Sequence, residues 1–128
     1  MAARKLSAEA YIANAEQQLA YAAAETRGPE SLIYSYRAAL RAAGALIEWG
    51  MRDRKRRPTG SAWAKLRKVQ PEFSEWADVF EAHARLASRA GMGLESEISE
   101  VVVRALYTDA VNFLSEVRGT VYSLPDVA

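Results

Sequence analysis

Apolar residues recur every three to four positions along most of the chain, the spacing that puts side chains on one face of an α-helix. The first stripe consists of Ala8, Tyr11, Ala15, Leu19 and Ala22. Ser7 stands directly before it as a candidate N-cap, and Gly28 and Pro29 interrupt the pattern after it. The pattern therefore predicts a first helix that begins after Ser7 and ends near residues 26–28.

A second stripe extends from Pro29 to Met51 and is close to a heptad repeat. Its members are Leu32, Ile33, Tyr36, Ala39, Leu40, Ala43, Leu46, Ile47 and Gly50. Alanine and glycine dominate residues 38–45, which predicts that a neighbouring helix approaches closely there. Tyr34, Arg37 and Arg41 form a separate polar row on this helix, which we interpret as a solvent-facing surface.

Three more helices follow from the same criteria. Ser61 is a candidate cap for a short third helix over Ala62–Val69, and Pro71 restarts the chain for a fourth helix over residues 72–90. A fifth helix is expected over residues 96–118, and residues 119–128 are expected to fray. No stretch alternates with the period of a strand. The prediction is an all-α, up-and-down bundle of four long helices and one short helix, a single domain over residues 1–128 with its core in residues 7–118.

Composition narrows the chemistry. The 128 residues include no cysteine and one histidine, so disulfides and thiolate metal sites are excluded, and we predict neither a metal site nor a cofactor. No glycine motif that cradles phosphate follows a predicted strand. The N-terminus does not resemble a secretory signal, and no apolar run is long enough to span a membrane. We therefore expect a cytoplasmic protein that does not insert into membranes.

The charge distribution is strongly asymmetric. Residues 52–68 carry eight cations and one anion, a net charge of +7. The rest of the chain carries nine cations and fifteen anions, a net charge of −6, so the overall charge of +1 hides a concentrated basic segment.

Such a segment is typical of a surface that neutralises several phosphates without reading sequence. The predicted binding residues are Arg52, Arg54, Lys55, Arg56, Arg57, Lys65 and Lys68. The alternative is a solvated loop whose cations complement the C-terminus of the second helix. Trp63 and Trp76 lie on apolar stripes and are expected in the core. Trp49 stands at the edge of the second helix beside the basic block, and both burial and partial exposure are open for it.

The single histidine, His83, is the one side chain whose ordinary pKa suits acid–base catalysis near neutral pH. A catalytic interpretation would use His83 as the acid–base group and Arg85 or Arg89 to bind phosphate charge. The alternative is a structural histidine at the margin of the apolar face.

The segment SAWAKLRKVQPEFSEWADVF, residues 61–80, resembles the signature region of an actinobacterial HEPN-like family. Weaker similarity in RAALRAAGALI and AVNFLSEV extends the resemblance over about residues 7–118. It implies a bundle of four or five helices that commonly dimerises, and a bias toward nucleic-acid-associated functions.

Many HEPN proteins are metal-independent RNases that carry an Arg-x(4–6)-His motif, two copies of which meet at the dimer interface. The only histidine here is His83, and the positions where the arginine would stand hold Trp76, Ala77 and Asp78. The resemblance therefore does not imply the catalytic pair in this chain.

Three hypotheses remain. The first is a non-catalytic homodimer that binds RNA or another phosphate-rich ligand, such as a nucleotide, through the basic segment. The second is an RNase with a site rearranged around His83. The third is an interaction module that docks the basic segment on an acidic surface of a protein partner.

Overall fold

The structure, a computed structural model, describes residues 6–123. Six α-helices and one 3-10 turn are found in this part of the chain. They are α1 Ala8–Ala24, α2 Gly28–Met51, α3 Ala62–Val69, the 3-10 turn Pro71–Phe73, α4 Ser74–Glu81, α5 Ala84–Gly91 and α6 Glu100–Val121. The all-α prediction is confirmed, and the predicted bounds of α3 agree with the structure.

α1 and α2 form an antiparallel pair whose close approach was predicted from the small residues of α2. The rings of Tyr21 and Tyr34 are 5.4 Å apart at one end. At the other end, Gly44 leaves the space that the ring of Tyr11 occupies, since a Cβ there would lie 2.6 Å from a ring carbon. α6 packs against both helices, which places the main core between these three long helices.

An aromatic cluster joins α3, α4 and α6. The ring of Phe80, which is fully buried, stacks on Trp63 at 5.4 Å and lies 5.2 Å from Phe113. Trp63 is 3% exposed and donates its indole N–H to the Tyr36 hydroxyl at 2.9 Å. Trp76 is half-buried and donates its indole N–H to Glu116 at 2.7 Å. The predicted core position is thus confirmed for Trp63 and holds in part for Trp76.

The predicted fourth helix over residues 72–90 was wrong, because the structure breaks it into α4 and α5. The break lies at His83, whose ring Nδ1 contacts the Val79 carbonyl at 2.9 Å. That carbonyl would accept from the His83 backbone N–H in a continuous helix, but the N–H donates to the Phe80 carbonyl instead. A side chain that competes for a backbone carbonyl in this way tightens or ends a helix.

The predicted fifth helix begins and ends later than expected. Ser99 caps α6, its hydroxyl accepting from the Val101 N–H at 3.3 Å, three residues after the predicted start at residue 96. Glu95 forms an ion pair with Arg89 of α5 at 2.9 Å and lies in the connection between α5 and α6. α6 then continues to the buried Val121, so residues 119–121 are helical and not frayed, while residues 124–128 lie outside the described residues.

Gly50 sets the distance between α2 and the end of α3, which gives a testable prediction. A Cβ at Gly50 would lie 2.2 Å from Cγ1 of the buried, β-branched Val69. We expect Gly50→Ala to lower the free energy of unfolding by about 1–3 kcal/mol, because the two elements must move apart. Chemical denaturation measures this change.

Gly119→Ala is the matched control. Gly119 lies inside α6 and has no atom within 4 Å of the position of a Cβ. Alanine there should be neutral or stabilise by up to about 1 kcal/mol, since it is the better helix former. Equal effects of the two substitutions would contradict the close contact at Gly50.

Candidate anion-binding surface

The basic loop, residues 52–61, connects α2 to α3 and presents its cations to solvent. All six residues 52–57 are exposed. The loop is held at both ends: the Arg54 N–H donates to the Met51 carbonyl at 3.0 Å, and the Lys68 ammonium donates to the Thr59 carbonyl at 3.0 Å. Gly60 has a φ of +110°, a conformation that favours glycine, and Ser61 then caps α3 through the Ala64 N–H.

Some of the segment's cations are paired within the molecule. Arg57 forms an ion pair with Glu48 of α2. Arg67 binds Glu81 and Asp78 of α4 at 2.9 and 2.6 Å, and these hydrogen bonds raise the pKa of its guanidinium. The contribution of Arg67 to the positive charge of the segment is therefore largely cancelled locally.

Arg52 and Trp49 form a cation–π contact at the start of the basic loop. The Arg52 guanidinium lies 4.1 Å from the centre of the Trp49 ring and also donates to the Trp49 carbonyl. Trp49 is half-buried, which answers the question of its exposure that the sequence left open. The cation covers the ring, so this tryptophan does not offer a bare aromatic surface to a nucleobase.

In the part of the chain that the structure describes, the cations at the tip of the loop are not paired with carboxylates, unlike Arg57 at its end. Arg54, Lys55 and Arg56 are exposed, and within residues 6–123 none of the three forms an ion pair with a carboxylate. We refer to these three residues as the loop tip. They are the three consecutive cations of the predicted set that are exposed and form no ion pair with a carboxylate in this part of the chain.

A cleft of about 280 Å³, which we call the basic cleft, lies beside the loop. Three cations from three different elements line it: Arg41 of α2, Arg57 of the loop and Lys65 of α3. Glu48 is the one carboxylate among its lining residues, and its side chain is 18% exposed. Tyr11, Leu40, Gly44, Ile47, Pro58 and Ala62 complete the walls.

The predicted binding residues therefore divide into three groups. Arg54, Lys55 and Arg56 form the loop tip, Arg57 and Lys65 line the basic cleft, and Arg52 and Lys68 hold neighbouring groups of the protein. Sequence reasoning missed Arg41 as a site residue, because it was assigned to a solvent-facing row. Its spacing of seven residues from Glu48 puts both on one face of α2, but nothing in the sequence shows that α3 brings Lys65 to them.

The residues of the catalytic hypothesis lie in α5 and at the junction of α4 and α5, outside the basic loop. His83 is half-buried at the break between α4 and α5. Because a carbonyl oxygen only accepts, the contact with Val79 places a proton on Nδ1 and engages that nitrogen. Arg85 is exposed, and Arg89 pairs with Glu95 at 2.9 Å.

Over residues 6–123, no group of three or more histidine or acidic side chains is arranged to hold a metal ion. None of the helices in that range combines the length and apolar character needed to cross a membrane.

Comparison with protein families decides the class. The family model described as SAV_6107-like HEPN matches residues 22–118, well over half of the chain. The chain belongs to the SAV_6107-like HEPN family. No curated protein and no solved structure gives a significant match.

The matched region of this HEPN domain contains both candidate surfaces. It spans the loop tip, the aromatic cluster and all four charged residues of the basic cleft. Tyr11, which fills the space left by Gly44, lies outside the match, so α1 adds one wall of the basic cleft from beyond the matched region.

Proposed function

We propose that this HEPN domain is a non-catalytic, homodimeric binding module that holds single-stranded RNA through the loop tip. The observation that carries the proposal is the contrast within the basic segment. Arg57 and Arg67 are matched by carboxylates of the same chain, whereas Arg54, Lys55 and Arg56 are exposed without such a partner among residues 6–123. A positive group that the protein does not neutralise internally attracts an external anion.

The aromatic residues support recognition of the RNA backbone rather than of its bases. Single-strand binding proteins commonly stack bases on exposed aromatic rings. Here Trp63 and Phe80 are buried, and Trp49 is covered by Arg52. We therefore expect binding that depends on phosphate charge and shows little sequence preference.

Two observations support a non-catalytic role. No arginine stands five to seven residues before His83, where the HEPN RNase motif would place it. In addition, the contact with Val79 engages one ring nitrogen of His83 in a structural role at the helix break. The RNase hypothesis predicts cleavage that His83→Ala abolishes; an intact RNA after incubation with the parent protein rules it out.

The homodimer is part of the proposal because dimers are common among HEPN domains. α6 retains an exposed apolar residue, Val101, which is 76% exposed, and a wide shallow depression beside it that includes Ala105 and Thr108. This outer face of α6 is the surface we assign to the second copy. Sedimentation equilibrium of the parent protein and of Val101→Glu tests it: a dimer that the substitution dissociates is the expected result, and a monomeric parent protein contradicts it.

The salt dependence of RNA affinity tests the binding function directly. If the three residues of the loop tip each neutralise one phosphate, the logarithm of the association constant should fall with the logarithm of salt concentration with a slope of about −2. Fluorescence anisotropy with a labelled oligouridylate and a labelled oligoadenylate measures the slope. We expect the same slope for both sequences.

A slope near zero, or no binding at low salt, contradicts the proposal. The interaction-module hypothesis predicts a different outcome, in which the protein retains an acidic protein partner during purification and binds no RNA. The ratio of absorbance at 260 and 280 nm of protein purified at low salt distinguishes the two hypotheses.

A further inference from the structure

We propose that the basic cleft binds a terminal phosphate, the phosphomonoester at the end of an RNA strand or on a free nucleotide. Where the phosphate is the end of an RNA strand, this inference rests on the proposed RNA binding. It concerns a different set of side chains. The loop tip lines a shallow depression that is wide open to solvent, whereas Arg41, Arg57 and Lys65 converge on one more enclosed cleft from α2, the loop and α3. Convergence of donors from several elements suits a single compact anion rather than an extended backbone.

The charge of the basic cleft matches this ligand. Three cations and the Glu48 carboxylate give its lining a formal charge of +2. A phosphomonoester carries a charge of about −1.5 to −2 at neutral pH and offers three acceptor oxygens. A phosphodiester inside a strand carries a single charge, so it compensates only half of the charge of the lining. Electrostatic complementarity therefore favours the strand end over the strand interior.

Glu48 positions the site rather than blocking it. Its ion pair with Arg57 fixes a loop side chain against α2, beside Arg41 and Lys65, which form no ion pair within residues 6–123. Because the Glu48 side chain is only 18% exposed, this pairing is less screened by salt than the contacts of the loop tip. Two cations thus remain for the ligand, and the third is already held in place.

The size and walls of the basic cleft set an upper limit on what enters. Its volume of about 280 Å³ is just below the range of small-molecule sites, which are typically about 300–1,000 Å³. Leu40, Ile47 and Pro58 contribute apolar surface beside the cations. One nucleotide has this mixture of charge and apolar surface, whereas a second nucleotide would have to remain outside on the loop.

The test compares short single-stranded oligoadenylates that differ only at their ends. Strands with a 5′-phosphate, a 3′-phosphate or hydroxyls at both ends are labelled at an internal position and titrated against the protein. A charge-assisted contact of this kind is worth about a ten-fold to a hundred-fold gain in affinity. We expect the strand with the favoured phosphate end to bind at least about ten-fold more tightly than the strand with hydroxyl ends.

Arg41→Gln and Lys65→Gln should each remove this gain. Arg41→Gln should also leave the affinity for the hydroxyl-ended strand within about two-fold, because Arg41 belongs neither to the basic segment nor to the loop tip. Arg37→Gln is the matched control: Arg37 is exposed on α2, one turn before Arg41, and does not line the basic cleft. It should keep the gain. Competition by adenosine monophosphate but not adenosine tells whether a free nucleotide also occupies the basic cleft.

The failures of the two proposals are distinguishable. Equal affinities for phosphate-ended and hydroxyl-ended strands, with salt-dependent binding of both, overturn the terminal-phosphate site and leave the RNA-binding function intact. Failure to bind any strand, together with binding of adenosine monophosphate that Arg41→Gln abolishes, overturns the RNA-binding function and retains the site. A preference for the phosphate end that survives Arg41→Gln and Lys65→Gln overturns the assignment to the basic cleft.

Discussion

Replacing Arg54, Lys55 and Arg56 together with glutamine should weaken RNA binding by about 100-fold at low salt and bring the salt slope close to zero. These three exposed cations are not compensated by a carboxylate within residues 6–123, so their positive charge is available to phosphates. Of the other cations of the segment, Arg57 and Arg67 are paired with carboxylates, Arg52 lies on the Trp49 ring and Lys68 donates to the Thr59 carbonyl, while Lys65 lines the basic cleft. Fluorescence anisotropy at several salt concentrations measures both quantities.

A triple variant elsewhere on the surface gives the matched control for charge. Arg27, Arg37 and Arg85 are exposed and do not line the depression on α6, and their replacement with glutamine removes the same number of cations from other parts of the surface. If binding responds only to net charge, the two triple variants should lose affinity equally. We expect the control to lose less than about three-fold, because exposed charges farther away than a Debye length of about 8–10 Å are screened.

Folding is not expected to account for the loss. The loop tip is exposed and lies outside the helices, where substitutions usually change the free energy of unfolding by less than about 0.5 kcal/mol. The loop itself is held by Arg57, Lys68 and Gly60, which the variant retains. A loop-tip variant with full affinity and an unchanged salt slope would refute the assignment of RNA binding to these residues.

Local sequence signals predicted the parts of the fold that local contacts determine. α3 is the clearest case, because the capping hydroxyl of Ser61, the apolar spacing of Trp63 and Leu66, and the restart at Pro71 all lie within eleven residues of one another. The periodicity of α2 likewise gave its end at Met51. Elements of this kind need no information about distant neighbours.

The break between α4 and α5 was not predictable from the apolar pattern. Phe80, Ala84 and Ala87 continue the stripe across it, and no proline or glycine interrupts the sequence there. At the break, the His83 ring lies at the Val79 carbonyl and the His83 backbone N–H donates to the Phe80 carbonyl. Periodicity does not report a side chain that competes for a backbone acceptor.

The candidate site shows the same division. A run of five cations within residues 52–57 predicted an exposed basic surface, and the structure has these residues exposed. Which cations are compensated was not predictable, because Arg67 meets Glu81 fourteen residues away and Arg57 meets Glu48 nine residues away across a change of direction. The basic cleft needs α2 and α3 side by side, a tertiary relation that also explains why Arg41 was overlooked.

The segment that carries the family resemblance is mainly structural. Trp63, Phe73 and Phe80 are buried within it, and Arg67 is used to join α3 to α4. The loop tip stands next to this segment, and Lys65 is the one cation of the basic cleft that lies inside it. Membership of the HEPN family thus accounts for the arrangement of the helices, while the loop tip and the basic cleft carry the proposed binding chemistry.

Phe80→Ala should destabilise the protein more than any other single substitution proposed here, by about 3–5 kcal/mol. The Phe80 ring has no exposed surface and contacts the rings of Trp63, Trp76 and Phe113, so alanine leaves a cavity where three helices meet. A loss of this size is a large part of the total stability of about 5–15 kcal/mol that is usual for a domain. Thermal unfolding followed by circular dichroism should show a midpoint lowered by about 10–25 °C.

Two controls separate the cavity from unrelated effects. Phe80→Leu keeps most of the buried volume and should cost less than half as much, while Val101→Ala, at a position that is 76% exposed, should change the midpoint little. A loss below about 1 kcal/mol for Phe80→Ala would mean that the cluster does not hold α3, α4 and α6 together.

The same substitution should affect the two proposed binding surfaces unequally. The loop tip acts through exposed charges that need no fixed register, so salt-dependent RNA binding by the folded fraction should persist at low temperature. The basic cleft instead requires Lys65 of α3 to stay beside Arg41 of α2, and the stack of Trp63 on Phe80 is one of the contacts that fix α3. Phe80→Ala should therefore reduce the preference for a phosphate-ended strand by a larger factor than it reduces the affinity for the hydroxyl-ended strand. Reduction of the phosphate-end preference and of the strand affinity by the same factor would show that the two surfaces are not separable.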